Sequence, residues 1–130
     1  MPKSNPTGEL VIRTLAMPRD TNMYGHIFGG WVLSQMDLAA ASVAGQYSSK
    51  RIVTQAINSM SFIAPVHVGD IMCCYADIIK FGVTSIHINV EAWVLSRNQH
   101  NDRYQVTEGV FVLVAVDENQ KPIPLNKPQS

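Results

Sequence analysis

Residues 84–96 alternate between two kinds of side chain, and that pattern governs what the remaining chain must provide. Ile86, Ile88, Val90, Ala92 and Val94 interleave with His87, Asn89, Glu91 and Trp93. A period of two turns into one apolar face only when the backbone is extended. Such a strand needs sheet neighbours for its peptide groups and a cover for its apolar side.

The rest of the sequence predicts both. Residues 9–17 suit a first strand, ended by Pro18. Residues 51–63 predict a second, and Pro65 with Val68, Gly69 and Asp70 a turn. Residues 71–80 predict a third. Gly109 to Val116 is apolar on both faces, which suits a strand in the middle of a sheet. Only one stretch reads as helix, Trp31 to about Gln46, which is free of proline and rich in Ala, Leu, Met and Gln. Gly45 is a plausible stop. The order is one strand, one helix, then four strands joined by short turns. An antiparallel sheet with a single helix on one face is the economical α+β solution. Ala39, Ala40, Ala41 and Ala44 let a curved sheet approach the helix backbone closely.

At 130 residues the chain predicts one domain, 1–130, with proline-bearing tails over about 1–7 and 118–130. An apolar fraction of 46% against 15% charged residues suggests that a second copy of the chain covers part of the surface. Ten basic and ten acidic residues cancel, so no global field draws the chain to nucleic acid. Cys73 and Cys74 are adjacent and would point to opposite faces of a strand, which predicts two buried thiols in a reducing compartment. No signal-peptide run or membrane-spanning apolar stretch is visible, so the expectation is a cytoplasmic protein without membrane partners.

Asp37 is the anomaly in the helix. At about 100° per residue, Gly30, Leu33, Ala40, Ala41 and Ala44 lie on its side of the helix. A carboxylate on a small, apolar face is costly without partners, and aspartate is a poor mid-helix residue. The plain alternative is a partly exposed side chain at the helix edge.

A second feature opens the same helix. In Phe28-Gly29-Gly30-Trp31, first-turn N–H groups lack intrahelical acceptors and carry positive potential. Glycines let a carbonyl oxygen come close, and an oxyanion formed there would be stabilised. The plain alternative is a tight loop. Gly29 and Asp37 stand roughly 12 Å apart along one helix at 1.5 Å per residue. Both act on one carbonyl only if the carboxylate comes from a second subunit, as a two-fold dimer allows.

Taken together, these residues resemble a family. Asp20-Thr21-Asn22, then Gly25-His26-Ile27-Phe28-Gly29-Gly30-Trp31 and Ser34-Gln35-Met36-Asp37, resemble the hallmark of the YciA-type acyl-CoA thioesterases. Phe62 to Val66, Val68-Gly69-Asp70, Thr107-Glu108 and Val114 to Asp117 resemble the same family, so the likeness runs from about residue 9 to 125. It implies a hot-dog fold, in which an antiparallel sheet wraps one long central helix. It also implies hydrolysis of acyl-CoA to a carboxylic acid and CoA, with CoA as part of the substrate and no separate cofactor. Dimers, commonly assembled as trimers of dimers, are implied as well. The catalytic acid falls on Asp37, the carbonyl-polarising backbone on Gly29 and Gly30, and the loop amide on Asn22. Two positions depart from the pattern. His26 stands where the family often has an acidic or amide residue, and Val83 where the Lys80–Ser85 turn often has Arg.

In this reading the thioester carbonyl meets the Gly29 and Gly30 N–H groups. Asp37 of the partner acts as general base or as nucleophile, and Asn22 orients water or carboxylate. His26, Phe28, Thr84, Ser85, Arg97 and Arg103 are candidates for substrate and CoA contacts, and Lys121 is a further basic candidate. The histidines show no metal-ligand spacing, so no metal is expected. The rival readings are a non-catalytic acyl-CoA-binding module and a hot-dog dehydratase or hydratase. The latter usually pairs an acid with a nearby His, and Asp37 has no helical His neighbour.

Overall fold

The computed structural model describes residues 5–96 and 102–126. Five strands make one sheet: β1 (Glu9–Leu15), β2 (Arg51–Asn58), β3 (Ile71–Phe81), β4 (Ser85–Leu95) and β5 (Arg103–Val116). Helix α1 (Gly29–Ala44) lies between β1 and β2 in the chain. The spatial order is β1-β3-β4-β5-β2, with every pairing antiparallel. This is the sheet and single central helix expected of a hot-dog fold.

The alternation in β4 sets the inside of the sheet. Ile86, Ile88, Val90, Ala92 and Val94 are buried against Met36, Ala39, Ala40 and Ala44 of α1, together with Met72, Cys74, Phe111 and Leu113. Alanines on the helix leave room for the curved sheet to close on it. Met36 is fully buried at the centre, and its truncation to Ala would cost about 2–5 kcal/mol. β5 sits between β4 and β2, as an apolar run on both faces requires.

Several boundaries differ from those read in the sequence, the following for local reasons. The helix starts at Gly29, because the two glycines already adopt helical geometry, and it continues past Ala44 as a 3-10 turn over Gly45–Tyr47. Gly45 caps it with an ordinary right-handed φ of −59°, not a left-handed stop. β2 ends at Asn58, short of residue 63, where Ser59 turns left-handed at φ 49°. β5 begins at Arg103, well before Gly109, because its first half hides polar side chains. Of these, Thr107 donates to the Ser61 carbonyl at 2.6 Å, and Gln105 donates to Glu108 Oε1 at 3.0 Å.

The stretch read as a C-terminal tail is bonded back onto the sheet in its described part. Ile123 N–H donates to the Ala115 carbonyl at 2.8 Å, and Leu125 N–H to that of Val83 at 2.9 Å. Both cysteines are buried free thiols, as expected. Cys74 faces the helix and Cys73 the opposite side, as neighbours in a strand must. Burial pushes the Cys74 thiol up to about 12, and the nearby Cys73 adds to the shift. Among the described residues, no helix is long and apolar enough to cross a membrane.

Candidate active site

The segment before α1 builds the helix entrance. Asn22 organises it: its Oδ1 accepts from Tyr24 N–H at 2.9 Å and from His26 N–H at 3.2 Å, while its own N–H donates to the His26 carbonyl at 2.7 Å. Gly25 makes the tight return, with φ +81°, a conformation that side chains oppose. Thr21 and Ile27 pair as an isolated bridge, and Ile27 N–H donates to the Val66 carbonyl at 3.3 Å. That bond, with burial of the Ile27 side chain, pins the loop to the 64–66 segment.

Phe28 caps the helix in an extended conformation without a side-chain bond, and α1 starts with Gly29 and Gly30, both exposed. Their N–H groups have no acceptor within the helix and stand at its positive end. Neither glycine has a positive φ, so backbone strain does not demand them. Space does. A Cβ on Gly29 would lie 3.3 Å from Phe62 Cζ, and one on Gly30 would lie 3.3 Å from Phe28 Cδ2. Two aromatic rings therefore crowd a bare stretch of backbone whose hydrogens remain open.

Asp37 is half-buried, which corrects its expected place within the apolar face. The fully buried stripe is Val32, Met36, Ala39, Ala40 and Ala44, and Asp37 lies on its flank with Leu33 and Ala41. The sheet is centred on Met36 and Ala40, so the next position round the helix turns towards edge strand β2. There Thr54 donates its hydroxyl to Asp37 Oδ1 at 2.5 Å. The sequence reading missed Thr54. One threonine in a β-branched strand carries no signal until the fold brings it to the helix. The pairing also explains how a mid-helix carboxylate is tolerated, since a charge-assisted hydrogen bond offsets part of its desolvation.

The remaining candidates separate. His26 is exposed on the entrance loop, its ring centroid 6.0 Å from that of His67. Thr84 and Ser85 lie at the β3–β4 turn, where Thr84 accepts from Ala115 N–H at 3.0 Å and Ser85 from Gly82 N–H at 2.8 Å. The nearby Phe81 meets Tyr47 edge-on at 5.1 Å, which places this turn at the C-terminal end of α1, away from Gly29. Arg103 lies on the sheet face away from the helix. It donates to Asn5 Oδ1 at 2.9 Å, with its guanidinium 6.0 Å from the Trp93 ring centroid. It lines a pocket with Arg13, Cys73 and Tyr75 that excludes the helix entrance. Arg97 lies outside the described residues. Lys121 N–H donates to Asp117 Oδ1 at 3.0 Å in the returning C-terminal segment. Among the described residues, no three His, Cys, Asp or Glu side chains converge as metal ligands.

The geometry matches known proteins along nearly its whole length. Residues 24–99 match the family described as the Thioesterase superfamily. The acyl-CoA thioester hydrolase YciA of Salmonella typhimurium is 51% identical over 124 residues, covering 94% of this chain and 93% of that protein. A hexameric broad-specificity acyl-coenzyme A thioesterase superposes with a TM-score of 0.88 at 45% identity, over 97% of this chain and 86% of that one. A hexameric hot-dog fold thioesterase of Campylobacter jejuni superposes at 0.82 with 38% identity, over 91% and 90% of the two chains. An open pair of glycine N–H groups at a helix entrance, a tethered carboxylate two turns on, and this degree of likeness lead to one assignment: the chain belongs to the thioesterase superfamily, among its YciA-type acyl-CoA thioester hydrolases.

Proposed function

We propose that the protein hydrolyses acyl-CoA thioesters to a carboxylic acid and CoA, as a hexamer of two-fold dimers. Relatives named as acyl-CoA thioester hydrolases and as hexameric thioesterases support both halves of the reading. The observation that carries the mechanism is Asp37, a half-buried carboxylate held by Thr54 on the helix that Gly29 and Gly30 open. Within one helix the two groups are roughly 12 Å apart. A neighbouring copy whose helix runs antiparallel brings its Asp37 to the Gly29 and Gly30 N–H groups of the first.

In that arrangement the thioester oxygen accepts from the glycine N–H groups, which polarise the carbonyl and hold the oxyanion as it forms. Asp37 either takes a proton from water as it attacks, or attacks itself to give an anhydride that water then opens. Both routes consume one water and release one thiol. Asn22 spends its amide oxygen on the loop, so its contribution to the substrate is made through its NH₂ group. A thiolate leaves readily, so residues for a strong leaving-group acid and a separate cofactor are not called for.

The test is release of free thiol from a series of acyl-CoAs, followed with a chromogenic reagent. Asp37→Ala and Gly29→Val should each be inactive. Co-expressed in one assembly they should regain about a quarter of wild-type turnover, because a mixed two-fold dimer contains one intact site. No regain would place both groups in one subunit's site. No thiol release from the wild type with any chain length would make the protein a binding module.

A further inference from the structure

We infer that the cleft behind Phe62 receives the acyl chain of the substrate and that Phe62 and Ala64 set the preferred chain length, an inference that rests on the hydrolase reading above. The cleft opens beside Gly29, is half open to solvent and has a volume of about 270 Å³. Ile27, Val32, Ala64, Val66 and Val106 form its walls, with the Phe62 ring at its rim. No lining side chain carries a hydrogen-bonding group.

Much of the wall's backbone is occupied as well. The Pro65 carbonyl accepts from the Tyr104 hydroxyl at 2.8 Å, that of Val66 from Ile27 N–H at 3.3 Å, and that of Val106 from Ile63 N–H at 2.8 Å. This chemistry separates the two arms of a thioester. The pantetheine arm carries amides, each of which would lose its water without a protein partner here, at a cost of kilocalories. A hydrocarbon chain loses nothing polar and gains from burial. Gly29 lines the cleft at the helix entrance, so its N–H marks where the thioester carbonyl must sit if the chain lies within.

At a volume of roughly 30 Å³ per water-sized group, the cleft holds about nine such groups, which suits a short or medium chain. Phe62 is the adjustable boundary. It is 49% exposed yet packs over Gly29, so its ring closes on a short chain and swings outward for a longer one.

The experiment compares kcat/KM for straight-chain acyl-CoAs from acetyl to palmitoyl in wild type, Ala64→Leu and Phe62→Ala, each checked for folding by thermal melting. Ala64→Leu fills the cleft, so the ratio of octanoyl to acetyl turnover should fall by about tenfold or more. Phe62→Ala opens the rim and should move the optimum to longer chains. An equal loss for every chain length would assign the cleft to the pantetheine arm and overturn the inference. So would an unchanged profile in both variants. In either case, thiol release by the wild type would leave the hydrolase reading standing. Should Ala64→Leu fail to fold, Phe62→Ala on the exposed rim decides the matter alone.

Discussion

Thr54 of β2 donates its hydroxyl to Asp37 Oδ1 at 2.5 Å, fastening the flank of α1 to an edge strand. The hydroxyl holds one carboxylate oxygen and so fixes the plane of the group. The contact also lies beside the bulge between Thr54 and Ala56, where the β2 register shifts. Thr54→Val keeps the shape of the side chain and removes the donor. Turnover should fall by about tenfold to a hundredfold, with KM little changed and stability lowered by about 1 kcal/mol. Thr54→Ser should restore most of the rate. Steady-state kinetics on the three proteins checks this. Equal loss in the Ser and Val variants would show that packing, not the hydroxyl, matters.

Asp37→Asn separates charge from shape. An amide oxygen still accepts from Thr54, so the helix and β2 stay joined and the melting temperature should move little. An amide is neither a base nor a nucleophile at neutral pH. Turnover should therefore drop by about 10³-fold or more, in the range of a lost general base. Circular dichroism and thiol release on the same preparation give both readouts. Hydrolysis at the wild-type rate would remove Asp37 from the mechanism.

The fold was legible because its signals are periodic. The alternation of β4, the two-faced run of β5 and the single alanine-rich segment each correspond to a strand or helix in the expected order. What escaped depends on contacts distant in sequence. The first half of β5 alternates poorly, because Thr107 and Gln105 are buried by finding partners on other segments or across a bulge. The face of α1 was misjudged by one position. A helical wheel fixes angles between residues, but only the sheet decides which angle points to its centre. Asp37 and the glycine pair stood out as exceptions to local rules. Thr54 obeys its own, so nothing in a single sequence marks it, and Phe62 stood out only as part of the family likeness.

Gly29→Ala should raise helix propensity and lower activity together. The position is at the first turn of α1 with no positive φ, so Ala fits the backbone and costs the fold little. The added methyl meets Phe62 Cζ at 3.3 Å, a contact with the far end of a side chain that has room to move. The same methyl stands where a carbonyl must approach the N–H groups. The expected result is a little-changed melting temperature with kcat/KM reduced by about tenfold or more. Unreduced activity in a folded variant would show that the substrate does not use this backbone.

Cys74 ties stability to alkaline pH. Its thiol is pushed from 9.0 up to about 12, first by burial and second by Cys73. Below pH 9 both folded and unfolded chains keep the proton, and the contribution is fully present. Between 9 and 12 the unfolded chain releases a proton that the folded chain holds, so stability falls as pH rises. The slope approaches about 1.4 kcal/mol per pH unit. Other groups titrate in the same range, so the comparison is with Cys74→Ala, measured by urea unfolding at pH 8, 9 and 10. The variant loses packing at every pH, yet its deficit should narrow as pH rises, because it has no thiol to ionise. Parallel stability curves for the two proteins would mean that solvent reaches this side chain in the folded state.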